Sequence, residues 1–374
     1  MDKFIQLIMP QLISQNNKMK KIGIITIHSD LNYGAALQAF ALNQYLRDQG
    51  YNSHIINYIK IPNHPRVYPF PKNIAYKLMN IPRFYRYRKF LKDSITKKEW
   101  HSVDELMNGF NEPFDVLISG SDQVWNPTCG GLVDKLNPCY YLAFAHSNQY
   151  KKVAYASSLG SYRFNEEERV HVKKWLDDYH HLSTRELAGA EHLKEILGKD
   201  VKVVLDPTLL LDSEQWREVS RPTRVKGKYV LVYYIDEIAE CVEYAREVAD
   251  KNEWKVVMMS NTSSRFPGVD QNIPFCGPAQ FLWLFDHAEY VVTNSFHGTA
   301  FAVNFNRPFI SVIKRNSPQR AQTLLASVGL PERLLTDIAQ VAELPNEIDW
   351  NTANIKLETL RKDSTKYLIN AIEN

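Results

Sequence analysis

Short apolar runs rich in β-branched residues alternate along this chain with longer segments of helical spacing. This alternation restricts the fold more than any other feature of the sequence. The run KIGIITIH at residues 21–28 is followed by the helical pattern AALQAFALNQYLRDQG and then by a second strand-like run, HIINYI. A β-α-β crossover of this kind joins parallel strands of one sheet. The order therefore predicts a parallel α/β sheet, with Gly50 as the glycine that ends the first helix.

The alternation occurs twice, and 374 residues are enough for two domains. A second series starts at KYVLVYYI, residues 228–235. We therefore predict two Rossmann-like domains that face a cleft, at residues 19–211 and 225–345. We expect residues 1–18 to form an extension outside the fold, or else a short helix on the first domain, and residues 346–374 to form a C-terminal helical segment.

Composition and motifs exclude several classes of site. The chain has 45 Lys and Arg against 42 Asp and Glu, a formal charge of +3, and no reader motif, so we expect no nucleic-acid partner. The four cysteines show neither a CxxC pair nor zinc spacing and are interpreted as reduced thiols of a cytoplasmic protein. No GxGxxG, P-loop, HExxH, DxD or GxSxG pattern occurs. We therefore expect chemistry without a metal or a dinucleotide cofactor.

Residues directly after the predicted strands are the candidates for chemistry, because ligands of open parallel sheets bind beyond the carboxyl ends of the strands. These segments supply imidazole, guanidinium, carboxylate, hydroxyl and amide groups, a set that suits an anionic substrate. They are His28 with SDLNYG, GSDQVWN at 120–126, SSLG at 157–160, STRE at 183–186, TNSFHGT at 293–299, and Arg315 and Arg320 after FISVI.

Each of these groups also has an ordinary structural interpretation. A lone histidine after a strand is more often a capping or satisfied polar residue than a catalytic one. Trp125 is as well suited to the floor of a domain as to a ligand site, and Ser183, Thr184 and Glu186 match a helix start. Spacing alone therefore leads only to a two-domain α/β protein with a polar cleft that carries Arg and His.

Eight segments, in order, resemble the polysaccharide pyruvyl transferase family over roughly residues 21–333. They are GIITIHSDLNYGAALQAFAL, FDVLISGSDQVWNP, YYLAFA, KKVAYASSLG, STRELAG, VLDPTLLL, FLWLFDHAEYVVTNSFHGTAFAVNFNRPF and RAQTLLASVGLPER. The resemblance implies a GT-B-like fold and transfer of the pyruvate moiety of phosphoenolpyruvate to two hydroxyls of a sugar. The implied product is a cyclic pyruvate ketal in a capsule, an exopolysaccharide or a lipid-linked precursor; phosphate leaves, and no cofactor beyond the donor substrate is implied.

The same resemblance implies roles on the donor side, which we expect on the second domain. His297 is expected to act as the acid or as a phosphate contact, with a pKa lowered by the helix start at which it stands. The family's Arg-Leu-His triplet is Ser295-Phe296-His297 here, so a donor-binding guanidinium must come from elsewhere. Arg185 is the first candidate, followed by Arg320 and Arg315. Further donor-side candidates are Asn294, Ser295, Gly298 and Thr299.

The first domain is the expected acceptor side. Asp122 is the candidate base that takes the proton of the attacking hydroxyl. The candidates for sugar binding are His28, Asn32, Tyr33, Gln123 and Trp125, the last by stacking on a ring face.

Two other functions stay open at this point: a GT-B-like glycosyltransferase that uses a sugar nucleotide, and a non-catalytic glycan-binding relative, which the missing arginine favours. The basic and aromatic run RFYRYRKFLKDSITKK at residues 83–98 bears on location. It is interpreted either as a helix with a solvated face or as a surface that meets anionic lipid heads at the inner membrane face.

Overall fold

A computed structural model describes most of the chain. The described residues are 19–59, 72–129, 135–234, 239–260, 262, 264–313, 318–343 and 347–374. The predicted extension at residues 1–18 and Arg315 lie outside them.

The first sheet is parallel throughout and has, within the described residues, the strand order β3-β2-β1-β4-β5. Its strands are β1 (Lys21–Ile25), β2 (Asn52–Tyr58), β3 (Ile95–Trp100), β4 (Val116–Ser119) and β5 (Lys151–Ala154). Its helices are α1 (Tyr33–Asp48), α2 (Lys72–Leu91), α3 (Val103–Gly109), α4 (Glu166–Leu176) and α5 (Leu187–Leu197). The short parallel pair β6 (Ser183–Thr184) and β7 (Lys202–Val203) continues this lobe through bridges to the chain after β5.

The second sheet is also parallel throughout, in the order β10-β9-β8-β11-β12-β13 for the described residues. Its strands are β8 (Tyr229–Tyr233), β9 (Lys255–Ser260), β10 (Gln271–Pro274), β11 (Tyr290–Thr293), β12 (Phe309–Val312) and β13 (Leu334–Leu335). The helices of this half and of the connections are α6 (Ser213–Val219), α7 (Ala239–Lys251), α8 (Pro278–Asp286), α9 (Phe296–Asn304), α10 (Gln319–Val328) and α11 (Trp350–Glu373).

The two strand orders confirm the predicted α/β class with two Rossmann-like sheets. In each sheet the order reverses at one point, between β1 and β4 in the first and between β8 and β11 in the second. Ligands of such sheets bind in the crevice at this point. The fold therefore directs attention to the loops after β4 and β11, which carry Asp122 and His297.

Aromatic side chains from both lobes form one continuous core between the sheets. Tyr33 at the start of α1 stacks on Phe281 of α8 with ring centroids 4.9 Å apart, and its hydroxyl donates to the carbonyl of Cys276 at 2.9 Å. Trp216 of α6 lies 5.2 Å from the ring of Phe301 in α9. This packing places the N-terminus of α1 directly against the N-terminus of α9.

The basic and aromatic run at residues 83–98 is not one helix. It consists of the end of α2 and the beginning of the edge strand β3. Arg83 turns inward, where it is buried and lies over the rings of Tyr33 and Tyr87, whereas Arg88 and Lys89 stay exposed. Arg83 therefore does not belong to the predicted basic surface, because it packs α2 against Tyr33 of α1.

Candidate active site

Four loops that follow strands meet between the two lobes. Asp122 follows β4 and has a left-handed backbone with φ 73, a conformation that non-glycine residues adopt mainly where the surrounding structure imposes it. Arg185 follows β6, Asp206 follows β7, and His297 stands in the first turn of α9 behind the cap Ser295. The crossovers thus bring together residues that are up to 175 positions apart in the chain.

The guanidinium of Arg185 is buried among three carboxylates. Its Nη1 donates to Asp206 Oδ2 at 2.6 Å, and its Nη2 donates to Asp122 Oδ1 at 3.4 Å. Its Nε lies 3.9 Å from Glu186 Oε2. The side chain is only 1% exposed, and Nε has no hydrogen-bond partner among the described residues. The three carboxylates raise the pKa of Arg185 against the effect of burial.

Asp206 is the carboxylate at the centre of this group. Its Oδ2 accepts from Arg185 and, at 3.0 Å, from the hydroxyl of Ser121, and its Oδ1 accepts from the amide and hydroxyl of Thr208. Burial alone would raise the pKa of Asp206, but the charge of Arg185 and the further interactions with His297 and Thr208 hold that pKa at about 2. Asp206 is therefore ionised throughout the physiological range.

His297 approaches the same carboxylate from the second lobe. Its Nε2 lies 3.9 Å from Asp206 Oδ2 and, among the described residues, has no hydrogen-bond partner although it is buried. The imidazole packs directly on Gly34 of α1, where a Cβ atom would overlap the ring. A glycine at the start of α1 is thus what allows the ring to lie there.

The imidazole of His297 is neutral at pH 7. Burial lowers its pKa to about 4, and the opposing attraction of Asp206 does not compensate. The predicted direction of this shift is confirmed, but its main cause is loss of solvent and not the helix end. A neutral, unsatisfied ring nitrogen beside an ionised carboxylate can accept a proton when an anionic ligand arrives.

Arg320 lies at the start of α10. Its guanidinium and that of Arg185 both form cation–π contacts with the ring of Phe296. The guanidinium carbons of Arg185 and Arg320 lie 5.0 and 5.4 Å from the centroid of this ring. Among the described residues, Arg320 forms no ion pair, in contrast to Arg185. Burial and then Arg185 lower the pKa of Arg320 to about 10, so it remains charged at pH 7.

A cavity of ≈ 100 Å³ opens between these groups and the helices α10 and α11. Arg185, Asp206, Phe296 and Arg320 line it, together with Asp363 of α11. His297 is not part of this lining and joins the cluster through Asp206. Arg185 and Arg320, predicted from the two halves of the chain, therefore line the same cavity. His297 lies next to it, on the other side of Asp206.

Four predicted donor residues surround His297 in α9 and the turn before it. Ser295 caps the helix by accepting from the amide of Gly298, and it is buried. The hydroxyl of Thr299 is fully buried and shares hydrogen bonds with Ser295 O and Ser311 Oγ. Gly298 packs on Thr293, and Asn294 is half-buried behind β11. These residues build the turn that presents His297, and the Thr299 hydroxyl is enclosed in that turn.

The structure assigns two predicted sugar contacts to the core instead. Trp125 is fully buried, stacks on Tyr141 at 5.6 Å and donates its indole N–H to the carbonyl of Tyr140. Tyr33 is buried between the lobes. Neither ring has a face left for a sugar, because protein side chains already cover it.

The other predicted acceptor residues are spread over the first lobe. Asn32 is exposed and caps α1 by accepting from the amide of Ala35. Gln123 is half-buried next to Asp122 and accepts from Asn126. His28 is buried at the end of β1, where its ring nitrogens lie 3.2 Å from Thr26 O and from Asn57 Oδ1. Of these, Gln123 is adjacent to the cluster around Asp206, and His28 lines a separate cavity.

Sequence reasoning assigned no specific role in the site to Asp206, Glu186 or Gly34, although Glu186 and Gly34 lie in the candidate segments STRE and SDLNYG. Glu186 is fully buried, its Oε1 accepts from the amides of Leu159 and Gly160, and burial raises its pKa against the effect of Arg185. Asp206 directly follows the strand-like run VKVVL, so the same rule that selected Asp122 selects it as well. Gly34 gives no such signal, because the need for it arises only when α9 packs on α1.

The described part of the chain contains no group of three or more His, Cys, Asp or Glu side chains placed to hold a metal ion. None of its helices combines the length and the apolar character needed to cross a membrane.

Comparisons with known proteins agree with this architecture. The model of a protein family described as polysaccharide pyruvyl transferase matches residues 32–316. A search of curated proteins gives no match. Among solved structures, a UDP-GlcNAc 2-epimerase from Neisseria meningitidis, bound to UDP-GlcNAc, is similar with a TM-score of 0.54 and 10% sequence identity, over 94% of this chain and 100% of the other.

Two other structures give the same result. The S. aureus MnaA-UDP co-structure has a TM-score of 0.54 and 12% identity, covering 95% of this chain and 98% of that one. The UDP-GlcNAc 2-epimerase from Methanocaldococcus jannaschii has a TM-score of 0.50 and 13% identity, covering 91% and 92%. At such low identity the likeness concerns the fold alone, and it confirms the predicted GT-B-like arrangement of two Rossmann-like domains.

Replacement of Asp206 by asparagine is expected to destabilise the protein strongly. The Asp206→Asn variant leaves the buried Arg185 guanidinium without its closest carboxylate, a change that typically costs about 3–5 kcal/mol in the free energy of unfolding. Denaturant unfolding measures this. The matched control is Asp200→Asn, which removes a carboxylate from an exposed pair with Lys194 and should leave the unfolding midpoint unchanged. Equal midpoints for the two variants would contradict the central role of Asp206.

The low pKa of His297 predicts a pH dependence of stability. Between about pH 6.5 and pH 4 the unfolded chain binds a proton at this residue and the folded protein does not, so the contribution of His297 is present above pH 6.5 and is lost as the pH falls to about 4. The difference in unfolding free energy between wild type and His297→Gln should therefore change by up to about 3 kcal/mol over this range. Other histidines cancel in that difference. Parallel curves for the two proteins would show that the imidazole is not held neutral by the fold.

Proposed function

This chain belongs to the polysaccharide pyruvyl transferase family, and we propose that it transfers the pyruvate moiety of phosphoenolpyruvate to two hydroxyls of a sugar in a surface polysaccharide or its precursor. The single observation that supports this most is the pairing of His297 with Asp206 beside the Arg320 cavity. It provides an ionisable imidazole, a fixed negative charge that stabilises the imidazolium, and a guanidinium that no described carboxylate occupies.

In the proposed reaction the donor binds with its phosphate or carboxylate on Arg320. Arg185 is less suited to this task, since three carboxylates already surround it. The start of α9, which has nine residues, lies at the same place and favours negative charge through its unpaired N–H groups. A dianion in this position raises the pKa of His297, so donor binding itself brings a proton to the imidazole.

That proton is then available for the methylene carbon of the donor. Its transfer makes that carbon a methyl group and leaves positive charge on the neighbouring carbon, which one sugar hydroxyl attacks. A second hydroxyl then closes the ring while the C–O bond to phosphate breaks, and phosphate leaves. The two sugar hydroxyls lose one proton each. One of these replaces the proton that the methylene carbon received, and the other leaves with phosphate, so the reaction is balanced.

Asp122 is the proposed base for the attacking hydroxyl. Its side chain is 14% exposed, whereas those of Asp206 and Glu186 are completely enclosed. A substrate hydroxyl can therefore reach Asp122 but not the other two. In this scheme Asp206 and Glu186 are positioning residues: they hold Arg185, and Asp206 also orients His297.

We propose further that the protein acts in the cytoplasm, at the inner membrane face where the acceptor is lipid-linked. The exposed cation Lys89 of α2 would then meet anionic lipid heads. No metal and no cofactor other than the donor substrate enters this scheme.

Incubation with phosphoenolpyruvate and candidate glycans tests the function, with phosphate release and the mass gain of a pyruvate ketal as readouts. Wild type should give both. His297→Ala should lower the rate by about 10²–10⁴-fold, as loss of an acid–base group does. Gly34→Ala keeps every ionisable group but adds a Cβ that overlaps the His297 ring, so a loss of about 100-fold or more is expected.

The control for Gly34→Ala is Gly109→Ala. There the new Cβ would lie 3.2 Å from Trp100, far from the site, and activity should be kept. Turnover of a sugar nucleotide in place of phosphoenolpyruvate would replace this proposal with the glycosyltransferase alternative. Glycan binding without any donor binding would favour a non-catalytic protein.

Arg320→Ala is expected to raise the KM for phosphoenolpyruvate by about 10–100-fold, since charge-assisted hydrogen bonds contribute about 1.5–3 kcal/mol. Steady-state kinetics at saturating glycan measures this, and the KM for glycan should stay constant. Arg265→Ala, which removes an exposed arginine of the second lobe, is the control. An unchanged donor KM in Arg320→Ala would exclude Arg320 from donor binding.

A further inference from the structure

A second cavity, of ≈ 460 Å³, opens on the first lobe beyond the carboxyl ends of β1, β2 and β3. Its volume falls in the range of roughly 300–1,000 Å³ that small-molecule sites occupy. We call it the α2 cavity, because residues of α2 form one wall of it. We infer that the α2 cavity binds a neutral pyranose ring of the acceptor saccharide, an inference that rests on the proposed function.

The wall formed by α2 presents large apolar side chains to the opening. Ile81, Phe84 and Tyr85 line it and are 55%, 48% and 65% exposed. Exposed apolar side chains that are grouped on a concave surface are typical of a ligand site, whereas single ones scattered over a surface are not. A pyranose ring has C–H faces that can cover such aromatic rings.

The opposite wall is a connected set of polar side chains. His28 Nε2 lies 3.2 Å from Asn57 Oδ1, the Asn57 amide donates to Glu99 Oε1 at 3.3 Å, and Arg88 Nη2 lies 3.5 Å from the same oxygen. A carboxylate has about four acceptor positions, so Glu99 can accept further hydrogen bonds, and Arg88 has further N–H groups to donate. Sugar hydroxyls, which both donate and accept, match this edge.

The charges of the α2 cavity indicate a neutral ligand. Arg88 and Glu99 form one ion pair, and burial lowers the pKa of His28, so the lining carries no net charge at pH 7. The cavity around Arg320 has a guanidinium that no carboxylate of the described chain pairs with, and it suits an anion. The two cavities therefore differ in the way that a neutral acceptor and an anionic donor require.

The position of the α2 cavity connects it with the candidate active site. Leu31 lines the cavity, and three residues later Gly34 packs against the imidazole of His297. Three residues of extended chain span at most about 11 Å. The α2 cavity therefore adjoins the segment that contacts His297, so a saccharide anchored in it would lie close to the candidate active site.

Direct binding tests the cavity without the donor. The probes are methyl β-D-galactopyranoside and methyl β-D-glucopyranoside, titrated into the full-length protein with saturation-transfer NMR and calorimetry. Wild type should bind at least one of them. Phe84→Ala and Glu99→Gln should each weaken binding about ten-fold, since one lost contact of this kind is worth about one order of magnitude in Kd. Val170→Ala, which shortens an exposed apolar side chain of α4 in the same lobe but outside the cavity lining, should bind as wild type does.

Two further measurements distinguish a sugar site from a lipid contact and from the donor site. Phe84→Ala should keep the wild-type affinity for phosphoenolpyruvate and for anionic phosphatidylglycerol vesicles. If Phe84→Ala loses vesicle binding but keeps glycoside binding, the apolar wall around Phe84 is a lipid contact and the inference is overturned. Equal glycoside affinity in wild type and Phe84→Ala, or no binding of either glycoside, would also overturn it. The protein could also bind a glycoside in a manner that depends on Phe84 and yet release no phosphate from phosphoenolpyruvate. That result would support the α2 cavity as a sugar site and overturn the proposed function instead.

Discussion

A single buried carboxylate organises the space between the two lobes. Asp206 accepts from Arg185 of the first lobe at 2.6 Å and faces His297 of the second at 3.9 Å. A buried charge is tolerated only when it is paired and hydrogen-bonded, and Ser121 and Thr208 complete the set that makes this one acceptable. The orientation of Arg185 depends on this carboxylate, and its charge opposes the effect of burial on the pKa of His297.

The two residues before His297, Ser295 and Phe296, have structural roles of their own. The serine becomes the cap of α9, and the phenylalanine ring lies beside the guanidinium groups of Arg185 and Arg320. Cation–π contacts of this kind hold a cation in place without neutralising its charge. Two guanidinium groups, one from the first lobe and one from α10, therefore lie at one aromatic ring beside the cavity.

Much of the fold could be predicted from the sequence, because parallel sheets leave strong local signals: buried β-branched runs, helical spacing between them, and the rule that ligands bind at strand ends. That rule selected Asp122, Arg185 and His297, which the structure brings together. It could not separate Trp125 and Tyr33 from ligand contacts, since an aromatic residue after a strand looks the same whether it faces a cleft or the partner lobe. The need for Gly34 arises from the packing between the lobes, and the paired state of Arg185 arises from the folding of the first lobe. No local pattern encodes either of them.

The last helix has a mechanical consequence. The chain crosses from the first lobe to the second between Leu211 and Tyr229, and α11 brings it back, with Leu357 packed beside Leu324 of the second lobe and Leu368 and Ile372 beside Ile22 of the first. The two lobes are therefore joined by two chain connections in addition to the continuous aromatic core between them. A movement that separates the lobes would have to detach α11 from one of them as well as expose part of that core.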